Sequence, residues 1–138
     1  MIKNEPKYKI SVLQKIREQL EHRAFWLYLL CKEAKKKGLE WEDFAPEAIT
    51  ECGLSQGKNL VEKGGTDSLK ELFIDFHYCP LVKAWQKAGC SDEEIARLCD
   101  IAMCGDHGIG ERYNADLILE SCIAKGDDIC ALRYKKRK

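Results

Sequence analysis

The sequence predicts an α+β domain, with N-terminal helices packed on a small antiparallel sheet that ends in a C-terminal hairpin. Three observations carry this. Apolar residues recur every three or four positions from Val12 to Ala34, the period of a helix. From Leu72 to Tyr78 the chain turns aromatic and β-branched, which suits a pleated surface. Near the end, two apolar runs over residues 116–123 and 129–134 flank the polar segment Ala124-Lys125-Gly126-Asp127-Asp128, the pattern of a hairpin. A chain of 138 residues is enough for one domain with one core. Residues 1–65 form its helical part and residues 66–138 its cysteine-rich α+β part.

Residues 10–37 read as one long helix. Val12, Ile16, Leu20, Ala24, Leu27, Cys31 and Ala34 line one side, with Gln14, Glu18, Glu21 and Lys32 on the other. The basic turn Lys35-Lys36-Lys37 complements the negative helix end, and Gly38 is a natural stop. The stretch 24–31 is apolar nearly all round, so it is either the centre of the core or the face of a homodimer. A second helical region covers residues 41–62, with Pro46 near its start. Gly53 and Gly57 within it either admit a close helix contact or break the helix. Gly64-Gly65-Thr66 reads as a linker.

The aromatic run reads as a strand ending at Cys79-Pro80, with Ile74, Phe76 and Tyr78 on one side. Proline cannot donate a ladder hydrogen bond. Pro80 opens a short helix that Gly89 stops. Ser91 and Glu94 form a capping box that starts a helix over residues 92–103. Gly105, Gly108 and Gly110 loosen the segment after that helix. Trp26, Trp41 and Trp85 read as core residues, as do Cys31 and Cys52.

Lys plus Arg and Asp plus Glu both number 23, so no overall field favours nucleic acid or a membrane surface. The basic end, Arg133 and residues 135–138, reads as a solvated tail. The longest apolar run, residues 24–31, is far shorter than the ~20 residues a membrane span needs. No signal-peptide pattern is seen. The expected location is the cytoplasm, and the expected partner is a small molecule. In a reducing compartment the eight cysteines are thiols or ligands rather than disulfides.

Six of those cysteines lie from Cys79 to Cys130. Thiolate and imidazole suit zinc or another transition metal. Cys122 and Cys130 flank a turn that can bring them together, and Cys99, Cys104 and His107 are further candidate ligands. There is no C-x-x-C pair, and Cys90, Cys99 and Cys122 also read as small core residues. A third role is nucleophilic. Cys79 sits at a predicted helix N-terminus, where the dipole favours a thiolate. His77 lies on the same face of the strand as a candidate base. Asp100, beside Cys99, is a second proton-handling candidate.

The order Cys79-Pro80, Cys99-Asp100, Tyr113-Asn114, Gly126-Asp127 and Cys130 resembles the L-2-amino-thiazoline-4-carboxylic acid hydrolase family over residues 73–134. The family's last motif continues from cysteine through an acidic residue and Phe to Arg. Here it reads Cys130-Ala131-Leu132-Arg133. The resemblance implies hydrolytic opening of a cyclic amidine. It implies catalytic roles for Cys79, Cys99 and Asp100, and substrate contacts from Tyr113 and Asn114. The same tail is similar to the four-vinyl-reductase-type ligand-binding domain, which implies a cysteine-held metal beside a small-molecule pocket. Cys122 and Cys130 match its cysteine pair, while Leu119 stands where that domain has glutamate. Two readings result: a hydrolase, and a non-catalytic small-molecule sensor with a metal site.

Overall fold

A computed structural model of the chain describes residues 11–63 and 70–138. The elements in order are α1 (Val12–Lys36), a 3-10 turn (Trp41–Asp43), α2 (Ala45–Glu62), β1 (Glu71–Phe76), α3 (Pro80–Lys87), α4 (Asp92–Arg112), β2 (Ala115–Ser121), a second 3-10 turn (Ile123–Lys125) and β3 (Cys130–Lys136). The fold is α+β, as the sequence predicts. Ile10 and the linker Gly64-Gly65-Thr66 lie outside the described residues.

The sheet has the order β1-β3-β2, and both pairings are antiparallel. The C-terminal strand is therefore central. Its Leu132 and Tyr134 lie opposite Ile74 and Leu72 on one side and Leu119 and Leu117 on the other. Residues two apart share a face of a strand, and of these side chains Ile74, Leu117, Leu119, Leu132 and Tyr134 pack on the core while Leu72 is exposed. Arg133 projects on the opposite face. It pairs with Asp75 of β1 at 2.7 Å and Glu120 of β2 at 3.0 Å, and its guanidinium lies 5.2 Å from the Phe73 ring centre. One side chain thus ties the three strands together.

The helices pack as two pairs. Trp85 of α3 is fully buried, and its indole N–H donates to the Ala24 carbonyl of α1 at 2.9 Å. Ala24 and Cys31 form the buried side of α1. α2 crosses α4 at glycines. A Cβ on Gly53 would stand 2.0 Å from the Gly105 carbonyl oxygen, and one on Gly108 would stand 2.7 Å from that of Thr50. The two backbones touch, a contact that any side chain at those positions would prevent.

That contact corrects the reading of residues 105–110 as loose. α4 runs unbroken to Arg112, because tertiary packing against α2 outweighs the low helix propensity of glycine. Gly53 and Gly57 likewise admit the close contact rather than break α2. The strand ends at Phe76, earlier than expected, so His77, Tyr78 and Cys79 form a connector. Ser91 and Glu94 make both bonds of the capping box. Trp41 and Trp85 are core residues, but Trp26 is 61% exposed and Cys52 is exposed. Trp26 falls on the face of α1 turned away from Ala24. Among the described residues, no helix is long and apolar enough to cross a membrane.

Candidate functional site

The hairpin corner between β2 and β3 organises the site. Gly126 has φ of +99°, a conformation that favours glycine. It reverses the chain after the 3-10 turn and aims Asp127 backwards. The Asp127 carboxylate accepts the Cys122 backbone N–H at 2.7 Å, and the Asp127 N–H donates to the Cys122 carbonyl at 3.2 Å. Three residues on, the Cys130 sulfur accepts the Ile123 N–H at 3.2 Å. The Gly-Asp-x-x-Cys segment is therefore a latch. Its polar groups satisfy the N–H groups at the start of the 3-10 turn and bring Cys122 and Cys130 together.

α4 supplies the next thiol. Cys99 and Cys122 are both buried, with their sulfurs 3.6 Å apart. Burial, then the neighbouring Cys122, pushes the Cys99 thiol far above its ordinary range, with smaller upward contributions from Cys79 and Cys130. Burial pushes Cys130 up to about 11, opposed by the Ile123 N–H. Cys99 and Cys130 are thus protonated thiols at neutral pH. All eight cysteines are free.

Beside this corner lies a cavity of about 330 Å³. Asp100, Met103 and His107 line it from α4. Spacings of three and four put them on one helix face. Leu119, Glu120 and Ser121 line it from β2, and Cys122, Lys125 and Asp127 from the corner. The Lys125 ammonium meets the Asp100 carboxylate at 2.7 Å across the wall. That pairing raises the Lys125 pKa. Asp106, beside His107, is also raised, by burial first, with Arg23 and His107 holding it partly down.

The predicted site residues divide into groups. Cys99, Cys122 and Cys130 cluster, and Cys79 lies close enough to influence Cys99 and Cys130 electrostatically. Asp100 and His107 face the cavity. Cys104 turns back onto its own helix, its thiol donating to the Asp100 carbonyl at 3.5 Å. Cys79 is the N-cap of α3 and is half-buried. His77 is exposed and makes no hydrogen bond to Cys79. Tyr113 and Asn114 form the turn after α4, about 20 Å along the helix from Asp100 at 1.5 Å per residue. Asn114 takes a left-handed φ of 51°, and its carbonyl accepts the Arg137 N–H.

Sequence reasoning missed Lys125 and assigned no role to Asp127, although the Gly126-Asp127 motif pointed at the second. For a metal, Cys99 and Cys122 stand close to the ~3.8 Å that two thiolates keep on tetrahedral zinc. Among the described residues, no three His, Cys, Asp or Glu side chains converge to hold an ion. A third thiol ligand from Cys130 would have to leave the Ile123 N–H.

On this α+β scaffold a latched thiol corner stands beside a cavity walled by carboxylates, one lysine and one imidazole. The chain belongs to the L-2-amino-thiazoline-4-carboxylic acid hydrolase family, whose model matches residues 65–134. That span holds the whole cavity wall and the four clustered cysteines. It also holds Arg133, Ala131 and Leu132 of the altered last motif. Leu132 is buried on the core face, while Ala131 lies opposite Asp75 and Ser121. No curated protein and no solved structure matches the chain.

Proposed function

We propose that this protein hydrolyses the ring C–N bond of a small cyclic amidine bearing a carboxylate, of the L-2-amino-thiazoline-4-carboxylate kind. One observation carries the reading. Two motif segments far apart in sequence, Cys99-Asp100 and Gly126-Asp127, meet on the wall of one cavity, joined by the Lys125–Asp100 ion pair. Family membership supports the reaction class.

The substrate has a cationic amidine and an anionic carboxylate. The wall has both counter-charges: Asp100 for the amidine and Lys125 for the carboxylate, while Glu120 is held by Arg133. Binding exchanges the internal Lys125–Asp100 pair for two pairs with substrate. The chemistry is addition of one water. Its oxygen bonds to the amidine carbon while the His107 imidazole takes a proton. The hydroxyl then collapses to a carbonyl as the ring C–N bond breaks; the departing nitrogen receives that proton from His107, and the hydroxyl proton ends on the same nitrogen, which leaves as an ammonium. Atoms balance with one water consumed and no change of oxidation state. Asp127 is committed to the Cys122 N–H and serves to shape the wall.

The test is turnover of L-2-amino-thiazoline-4-carboxylate by the purified chain, read by mass spectrometry as a product heavier by one water. His107→Ala is expected to lower kcat by about 100-fold, the usual contribution of a general base. Absence of turnover by the wild-type protein at any pH from 6 to 9, in metal-free and zinc-supplemented buffer, would overturn the reading.

The 3.6 Å approach of Cys99 and Cys122 favours a second reading, a binding domain with a thiolate-held metal. In it Cys99, Cys122 and Cys130 hold zinc or a similar ion and the cavity receives a ligand without turning it over. Metal content per chain after anaerobic purification separates the two. Near-stoichiometric zinc that Cys122→Ser releases would favour it.

A further inference from the structure

We propose that α1 pairs with the α1 of a second copy of this chain, antiparallel, through the face turned away from the core. Glu18, His22, Phe25, Leu29, Lys32 and Lys36 repeat at alternating spacings of four and three, the heptad spacing of a two-helix seam, with apolar Phe25 and Leu29 at its centre and charged or polar residues toward its ends. All six are exposed. The seam is distinct from the core face, where Ala24 and Cys31 are buried. Trp26 flanks it. Its indole N–H donates to His22 Nε2 at 2.9 Å, and the two rings meet edge-on.

The occupant is argued from the order of charges. Reversed about Leu27, the seam is its own complement. Glu18 falls opposite Lys36 of the other copy, and Lys36 opposite its Glu18. Phe25 and Leu29 meet at the centre, and His22 faces Lys32. Within one copy Glu18 and Lys36 are about 27 Å apart at 1.5 Å per residue, so they cannot pair internally. Among the described residues, Glu18 has the neutral Gln14 amide as its hydrogen-bond partner, at 3.2 Å. Lys36 is paired with Glu33 of its own helix, and Glu33 lies one turn away, beside the approaching Glu18. Antiparallel helices also oppose their dipoles favourably. A parallel pair would instead set Glu18 on Glu18 and Lys36 on Lys36.

The test is sedimentation equilibrium of the full chain across the micromolar range, with circular dichroism as a check of folding. The wild-type protein is expected to form a two-copy species. Glu18→Lys and Lys36→Glu, each alone, are expected to weaken association about ten-fold, since each sets two like-charge pairs across the seam. The double variant is expected to restore it. Phe25→Glu is expected to give a folded monomer. A wild-type monomer would overturn the proposal, because the face would then serve another occupant, such as the chain's own N-terminal segment or a different protein. A dimer indifferent to Glu18→Lys, or a double variant no tighter than the singles, would overturn it equally.

Discussion

The Asp127 carboxylate accepts the Cys122 backbone N–H at 2.7 Å, the shortest of the bonds that latch the corner carrying the thiols. An ionised acceptor makes the bond stronger than a neutral one. Asp127 is exposed, so solvent screens part of that strength. Asp127→Ala is expected to lower unfolding free energy by about 1–2 kcal/mol and Asp127→Asn by less, as read from urea denaturation. Gly126→Ala is expected to cost about 1 kcal/mol through its positive φ. The two act on one turn, so their double variant should lose less than the sum. Strict additivity would show that the latch is not a unit.

The contact between α2 and α4 predicts an uneven response to adding one methyl group. Gly53→Ala drives a Cβ into backbone, 2.0 Å from the Gly105 carbonyl oxygen, and neither helix can yield locally. The expected cost is about 3 kcal/mol or more, the upper range for overpacking. At Gly105 the nearest atom to a new Cβ is the Ile49 Cγ2 at 3.3 Å, a side-chain methyl able to move by tenths of an ångström. Gly105→Ala should therefore be mild, and its gain in helix propensity offsets part of the strain. Thermal denaturation of both variants decides this. Equal losses would mean that the helices do not meet at Gly53.

Much of this frame is legible in the sequence, for definite reasons. Caps and strand ends are local chemistry, so Ser91 with Glu94, and Pro80, announce their helices. The close contact of α2 with α4 is not local. Gly105 and Gly108 look like breakers until Gly53 is placed against them. Trp26 and Cys52 fall on the wrong side because apolar character alone does not say which face of an amphipathic helix meets the core. The thiol cluster is half legible. A hairpin predicts that Cys122 and Cys130 meet, but only the packing of α4 on the sheet brings Cys99 to them. The ion pair of Lys125 with Asp100 depends on that same packing, and so no spacing rule finds it.

The buried thiols predict a pH dependence with a definite sign. Cys130 is raised from 9.0 to about 11, and Cys99 is raised further, by burial in both cases. The unfolded chain gives up these protons more readily than the folded one. Their contribution to stability is thus fully present below pH 9 and is lost as pH rises through about 11. Denaturation midpoints should fall over that window, and Cys130→Ala should flatten part of the fall. At pH 8, maleimide should label exposed Cys52 fast and Cys99 and Cys122 only as fast as the domain opens. Rapid labelling of Cys99 in the folded protein would contradict the buried cluster.

Cys79 separates two chemical routes through the same family framework. It is the N-cap residue of α3, the placement from which the sequence makes it a candidate nucleophile. It lacks a base, since His77 is exposed and makes no hydrogen bond to it. It is also absent from the cavity wall, which Asp100, His107 and Lys125 share. If water adds directly with His107 as base, Cys79→Ser should leave kcat within about two-fold while His107→Ala loses about 100-fold. If a covalent thiol adduct forms instead, Cys79→Ser should lose as much as His107→Ala, and rapid acid quench of the wild-type protein should trap substrate mass on the chain. Lys125→Ala adds a check on binding. Removing the carboxylate's partner should raise KM more than it lowers kcat, the signature of an interaction made equally in ground and transition states. A Lys125→Ala variant with unchanged KM would place the substrate carboxylate elsewhere and remove the charge logic of the cavity.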